Sequence, residues 1–186
     1  MKLIIGLGNP EPQYDATRHN AGFAIVEAFA DAHNLSWQLK DKFKATTAEG
    51  VVNSQKVILV KPHTYYNLSG EAALAVKQFY KIDNADILVV HDELALPFGT
   101  LRTRVGGSDA GNNGLKSIIA TVGADVARIR IGIANDFTGR QNAADFVLGR
   151  FTANESAKMP DIKKHAIALI DAFIASDFAH TTKNLE

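Results

Sequence analysis

Leu3-Ile4-Ile5-Gly6-Leu7-Gly8-Asn9-Pro10 decides the fold: an apolar run breaks into a turn carrying two glycines, an asparagine and a proline. A short apolar run bounded in this way reads as a buried strand. The turn puts Asn9 at the carboxyl end of that strand, where open α/β sheets assemble their ligand sites. Gly6 and Gly8 allow backbone geometry that a residue with a Cβ resists, so that Asn9 can be presented there. Thr17-Arg18-His19-Asn20 follows, and function is expected around Asn9 and His19. A dinucleotide-binding turn is the alternative, but Glu11 stands where the third glycine of G-x-G-x-x-G belongs.

Outward from this strand the same signal recurs at Val57-Ile58-Leu59-Val60, Ile87-Leu88-Val89-Val90 and Ile129-Arg130-Ile131-Gly132-Ile133, each a predicted strand. Lys61-Pro62 and Leu96-Pro97 mark strand exits. Helical periodicity appears in Leu115, Ile118, Ile119 and Val122, and again in Met159, Ile162, Ala166, Leu169, Ile170 and Phe173. Thr152 and Glu155 have capping-box spacing, which predicts a C-terminal helix over about 153–175. A polar turn, Thr138-Gly139-Arg140-Gln141, lies before it. Alternating strands and helices predict one α/β domain over 1–186, of a length that suits a single core.

The 20 basic and 20 acidic residues cancel, so a charged partner must be met by a local patch rather than a global field. Between Phe98 and Arg140 such a patch exists: Arg102, Arg104, Lys116, Arg128, Arg130 and Arg140 outnumber Asp109, Asp125 and Asp136. By strand alternation Arg102 and Arg104 share a face, as do Arg128 and Arg130, and each pair forms a candidate phosphate stripe. The absence of cysteine removes disulfides, thiolate metal sites and cysteine nucleophiles. No secretory signal or membrane span is legible, and a cytoplasmic protein without membrane partners is expected.

Loop segments collect the chemistry: Asn9 to His19, then Lys61 to Gly70, then His91-Asp92-Glu93, and Gly111-Asn112-Asn113-Gly114 opening a helix. Histidine side chains titrate near ~6.5, which makes His19 a natural general base toward water at neutral pH. Asp92 or Glu93 is placed to accept the other ring N–H, and alternation along a strand lets only one of them face His19. Asn9, Asn67 and Asn113 each offer an acceptor and a donor without charge. Gly106 to Ala110 misses the G-x-S-x-G nucleophile elbow at Ala110, and no H-E-x-x-H zinc motif occurs.

From Leu3 to about Phe151 the chain resembles the bacterial-type peptidyl-tRNA hydrolases. The resemblance rests on GLGNP at 6–10, TRHNAGF at 17–23, KPHTYYNLSG at 61–70, HDELALPFG at 91–99 and GGSDAGNNGLKSI at 106–118. It implies a three-layer α/β/α domain with a twisted mixed sheet, using no metal or other cofactor and cleaving the ester between peptide and tRNA. It selects Asp92 as the partner of His19, sets Asn9 beside the attacked ester, gives Asn67 and Asn113 to the substrate, and matches Arg104 and Arg130 to a tRNA phosphate clamp. Tyr14 and Tyr66 are expected to bind substrate, and a monomer is expected. The chain departs from the family pattern at Glu11, Ala95 and Ala134-Asn135-Asp136, at Tyr66, where methionine is usual, and at Asn112, where histidine is usual. A non-catalytic RNA-binding relative would keep the basic patch but could lose His19 or Asp92, and both are present.

Overall fold

The N-terminal apolar run forms strand β1 (Lys2–Gly6), with Leu3, Ile4 and Ile5 wholly buried. A computed structural model describes residues 1–140 and 142–185, so Gln141 of the polar turn and the terminal Glu186 lie outside the described residues. After β1 come α1 (Ala21–Ala32), β2 (Trp37–Lys40), β3 (Ala45–Val52), β4 (Gln55–Pro62) and α2 (Ser69–Tyr80). They are followed by β5 (Ile87–Pro97), β6 (Thr100–Val105), α3 (Asn113–Val122), β7 (Ala127–Ala134), α4 (Ala143–Leu148), α5 (Ala153–Ile174) and β8 (Thr182–Asn184). The strands form one sheet in the order β2-β3-β4-β1-β5-β7-β6-β8. β4, β1, β5 and β7 run parallel, while β2–β3–β4 and β7–β6–β8 are antiparallel flanks, so the sheet is mixed.

Alternation along β1 sorts the two cores. Ile4 packs with Phe29 of α1 and Ile170 of α5 on one face, and Leu3 and Ile5 pack with Val76 of α2 and Ile118 of α3 on the other. Three layers result. Each fully buried aliphatic side chain contributes roughly 1.5–3 kcal/mol, so the central parallel strands, buried on both faces, are the stable frame. Their carboxyl ends lie together, and the loops leaving β1 and β4 and the distal part of β5 converge there.

Two expectations need correction. Gly6 and Gly8 do not adopt positive φ. They are required for close approach, because a Cβ on Gly6 would come within 2.6 Å of the Gly22 carbonyl oxygen and one on Gly8 within 2.6 Å of the Phe23 ring. The β1 turn and the start of α1 therefore interlock. Likewise β5 does not stop at Val90 but carries His91, Asp92 and Glu93 as buried strand residues, with a register irregularity between Glu93 and Pro97. Apolar patterning ends at Val90, but pairing with β7 does not.

Candidate active site

The turn after β1 is held by Asn20, whose carboxamide accepts from Asn9 N at 2.8 Å and donates to Asn9 O at 2.9 Å. With its backbone fixed, Asn9 accepts from Tyr66 N through Oδ1 at 3.0 Å. That bond sets the carboxamide orientation and leaves Nδ2 as a donor with no partner among the described residues. Asn20 had no role in the sequence reading beyond its place in the TRHNAGF motif, because a carboxamide that braces another residue's backbone leaves no pattern of its own.

His19 sits in a single 3-10 turn, Arg18–Asn20, immediately before α1. The turn is tied to the far end of the chain by Arg18, which donates to the Arg150 carbonyl at 2.7 Å and to Glu155 Oε2 at 2.9 Å. The guanidinium also lies over the Phe146 ring, 4.5 Å from its centroid. Glu155 completes the predicted capping box with Thr152 at the start of α5 and accepts from Asn135 Nδ2 at 2.7 Å. Burial pushes the Glu155 carboxyl up, but the bonds from Thr152 and Asn135 and the Arg18 charge outweigh it and hold the group below the ordinary carboxylate range.

His19 Nδ1 and Asp92 Oδ2 are 2.9 Å apart. Tyr66 donates its hydroxyl to the other carboxylate oxygen, Asp92 Oδ1, at 2.6 Å. Burial and the neighbouring Asp92 charge raise the Tyr66 hydroxyl well above its ordinary value, so it remains a donor. With the carboxylate accepting on both oxygens, the proton between His19 and Asp92 belongs to Nδ1, and Nε2 carries the lone pair. Glu93, the next residue along β5, also borders the cavity described below but does not meet His19: it accepts from Arg130 Nε at 3.0 Å. Neighbouring His91 is fully buried and donates from Nδ1 to the Asp92 carbonyl at 2.7 Å. Its desolvation favours the neutral ring.

A cavity of about 510 Å³ opens over these groups, and Asn9, Tyr14, His19, Tyr66, Asn67, Asp92 and Asn113 all line it. Ala143, Val147 and Leu148 of α4 add an apolar wall. Asn67 and Asn113 are exposed, with carboxamides unpartnered among the described residues. Asn112 caps α3 by accepting from Leu115 N at 2.9 Å. Tyr66, expected to bind substrate, lines the cavity with only 3% of its surface exposed, and its hydroxyl is bonded to Asp92 and Asn112.

Arg104 and Arg130 are not part of this cavity lining. Strand register sets Arg102 opposite Arg130 and Arg104 opposite Arg128, so four arginines occupy one sheet face. They are not equivalent, which corrects the paired stripes read from alternation. Arg128 is 2% exposed and binds the Ser108 and Gly107 carbonyls at 2.7 and 2.6 Å, holding the glycine-rich loop. Arg102 donates to Thr182 Oγ1 of β8 at 3.1 Å, Arg130 is paired with Glu93, and Arg104 is exposed. Among the described residues no three His, Cys, Asp or Glu gather as metal ligands, and no helix is long and apolar enough to cross a membrane.

The fold is a three-layer α/β/α domain whose cavity carries a His–Asp pair, with Asn9 and Asn67 in segments that follow parallel strands and Asn113 at the start of α3. The family model described as Peptidyl-tRNA hydrolase matches residues 3–186. The chain is 44% identical over 180 residues to the peptidyl-tRNA hydrolase of Levilactobacillus brevis, covering 96% of each chain. It is 44% identical over 177 residues to that of Chloroflexus aggregans, covering 94% of this chain and 93% of the relative. The crystal structure of peptidyl-tRNA hydrolase from Acinetobacter baumannii superposes with a TM-score of 0.89 at 35% identity, covering 95% of this chain and 89% of the other. The chain belongs to the peptidyl-tRNA hydrolase family, whose members are carboxylic ester hydrolases.

Proposed function

We propose that this chain hydrolyses the ester joining a peptide to a tRNA ribose, with His19 as general base and Asp92 as its orienting partner. The observation that carries the reading is the 2.9 Å contact between His19 Nδ1 and Asp92 on the wall of a cavity lined by Asn9, Asn67, Asn112 and Asn113. His19 Nε2 takes a proton from water as the oxygen attacks the ester carbonyl carbon. Asn9 Nδ2 donates to the oxyanion of the tetrahedral intermediate. Collapse breaks the bond to the ribose oxygen, which receives the proton back from the imidazolium. The products are tRNA with a free hydroxyl and a peptide carboxylic acid, which ionises to the carboxylate and gives its proton to solvent, and the steps use only these side chains and water. Exposed Arg104, with the Arg130 guanidinium nitrogens that have no partner among the described residues, suits contact with tRNA phosphates, which give affinity without base readout.

Asn67 and Asn113 suit the first peptide amide of the substrate. An ordinary aminoacyl-tRNA offers a charged ammonium there, which leaves the carboxamides unmatched at about 1–3 kcal/mol each and adds desolvation of the charge. N-acetyl-aminoacyl-tRNA is therefore expected to be cleaved much faster than its unblocked counterpart when kcat/KM is compared. Asn67→Ala and Asn113→Ala narrow the gap by slowing the blocked substrate. Equal rates for the two substrates in the wild type would overturn the peptidyl-tRNA reading.

A further inference from the structure

Tyr66 touches both members of the His19–Asp92 pair. Its ring lies against the imidazole, with centroids 3.5 Å apart and planes 17° from parallel. Its hydroxyl donates to Asp92 Oδ1, the oxygen that His19 does not use. The same hydroxyl accepts from Asn112 Nδ2 at 2.9 Å, and Nδ2 also reaches the Asp92 carbonyl at 3.3 Å. Space for the ring comes from Gly114, where a Cβ would lie 2.4 Å from Tyr66 Cε1. A directed chain of donors runs from Asn112 to Tyr66 to Asp92, and Asp92 is met from the other side by His19. The hydroxyl is committed to these two partners, its proton to Asp92 and an acceptor position to Asn112, and Tyr66 is only 3% exposed where it borders the cavity.

We propose that Tyr66 is a positioning residue of the His19–Asp92 pair, its hydroxyl fixing the carboxylate and its ring fixing the imidazole face, with Asn112 holding the hydroxyl in turn. The proposal rests on the reading of His19 as general base. Without the hydroxyl, Asp92 keeps one restraint where it had two, so the imidazole samples more orientations and the chemical step slows. A hydroxyl that donates to Asp92 also takes up part of its negative charge. Removing it leaves the carboxylate better able to stabilise the imidazolium, which raises the pH below which the base is protonated. The other charged or titratable groups at hand are committed elsewhere. Glu93 borders the same cavity but is paired with Arg130, Arg18 pairs with Glu155, and His91 is buried against the Asp92 carbonyl. Tyr66→Phe alters none of those bonds.

The test measures kcat and KM for N-acetyl-aminoacyl-tRNA between about pH 5 and 9 for wild type, Tyr66→Phe, Asn112→Ser and His19→Ala. Tyr66→Phe keeps the stacked ring and is expected to lower kcat about tenfold with KM within about twofold. Its acid limb moves up by about half a pH unit. Asn112→Ser retains a helix-capping hydroxyl but loses the donor to Tyr66, so it shifts kcat and the acid limb in the same directions by less. A purely structural role would lower the folded fraction and leave the acid limb in place. Superposition of the Tyr66→Phe profile on wild type, with His19→Ala inactive, overturns the proposal alone. Wild-type rates in His19→Ala remove the general base and this proposal with it. If Tyr66→Phe does not fold, an unchanged Asn112→Ser profile is the overturning result.

Discussion

Glu155→Gln should loosen the turn that carries His19 from the opposite end of the chain. Arg18 and Glu155 side chains are 6% and 9% exposed, with Nη2 and Oε2 2.9 Å apart. Removing one charge of a buried pair typically costs 3–5 kcal/mol, because the remaining charge is left without its counterion. Here Arg18 keeps the Arg150 carbonyl and the Phe146 face, and glutamine keeps one acceptor oxygen. The loss is therefore placed at the lower end, about 3 kcal/mol. For a chain of this size each kcal/mol lowers Tm by roughly 2–4 °C, which predicts a fall of about 6–12 °C. The pH dependence supplies a second check. A carboxyl held below its ordinary 4.5 contributes stability that is fully present above that value and is lost as pH falls through the folded-state value. The difference between wild type and Glu155→Gln should therefore be constant near neutrality and shrink on acidification below the ordinary carboxylate range. Denaturant unfolding measured across that range reads both quantities. A loss under about 1 kcal/mol at pH 7, or a gap that does not shrink in acid, would refute the assignment of a buried charged tether.

His19→Ala is expected to lower kcat/KM for blocked aminoacyl-tRNA by about 10²–10⁴-fold while leaving Tm near that of the wild type, and near-normal turnover would sink the mechanism. Asp92→Asn should act mainly on kcat, since it disturbs the imidazole rather than the substrate, and an effect confined to KM would argue for a binding role. Arg104→Ala should weaken tRNA binding and reduce the salt slope by roughly 0.7–0.9, with little effect on a minimal substrate lacking the outer phosphates. Arg130→Ala should do the same and also lower stability by about 3 kcal/mol, because it strands the buried Glu93 carboxylate; denaturation separates the two variants.

The parallel frame was legible because buried strands are short apolar runs with glycine or proline at their ends, as at Leu3-Ile4-Ile5 and Val57-Ile58-Leu59-Val60. The flanks were not: β2 and β8 are largely exposed strands of mixed composition whose existence depends on a neighbour's edge. α1 escaped notice for the opposite reason, since its Ala21-to-Ala32 segment is apolar on most sides and its glycine sits where the helix meets β1.

Within the site, strand alternation limited the choice to Asp92 or Glu93, and the fold decides between them through the partners each carboxylate meets: His19 and Tyr66 for Asp92, Arg130 for Glu93. The same alternation misled for the arginines. Period two states which face a side chain takes, but not what already covers that face, and the returning loop at Gly107 and Ser108 is what turns Arg128 from a candidate phosphate contact into an internal clamp. Tyr66 shows a further limit. Tyrosine in place of methionine at that position changes a packing group into one that donates a hydrogen bond, and whether it faces substrate or the base behind it depends on Gly114, Asn112 and Asp92, contributed by segments distant in sequence. Positions that act by contacting substrate can therefore be nominated from motifs, whereas positions that act by holding another side chain become visible only when the partners' atoms are placed.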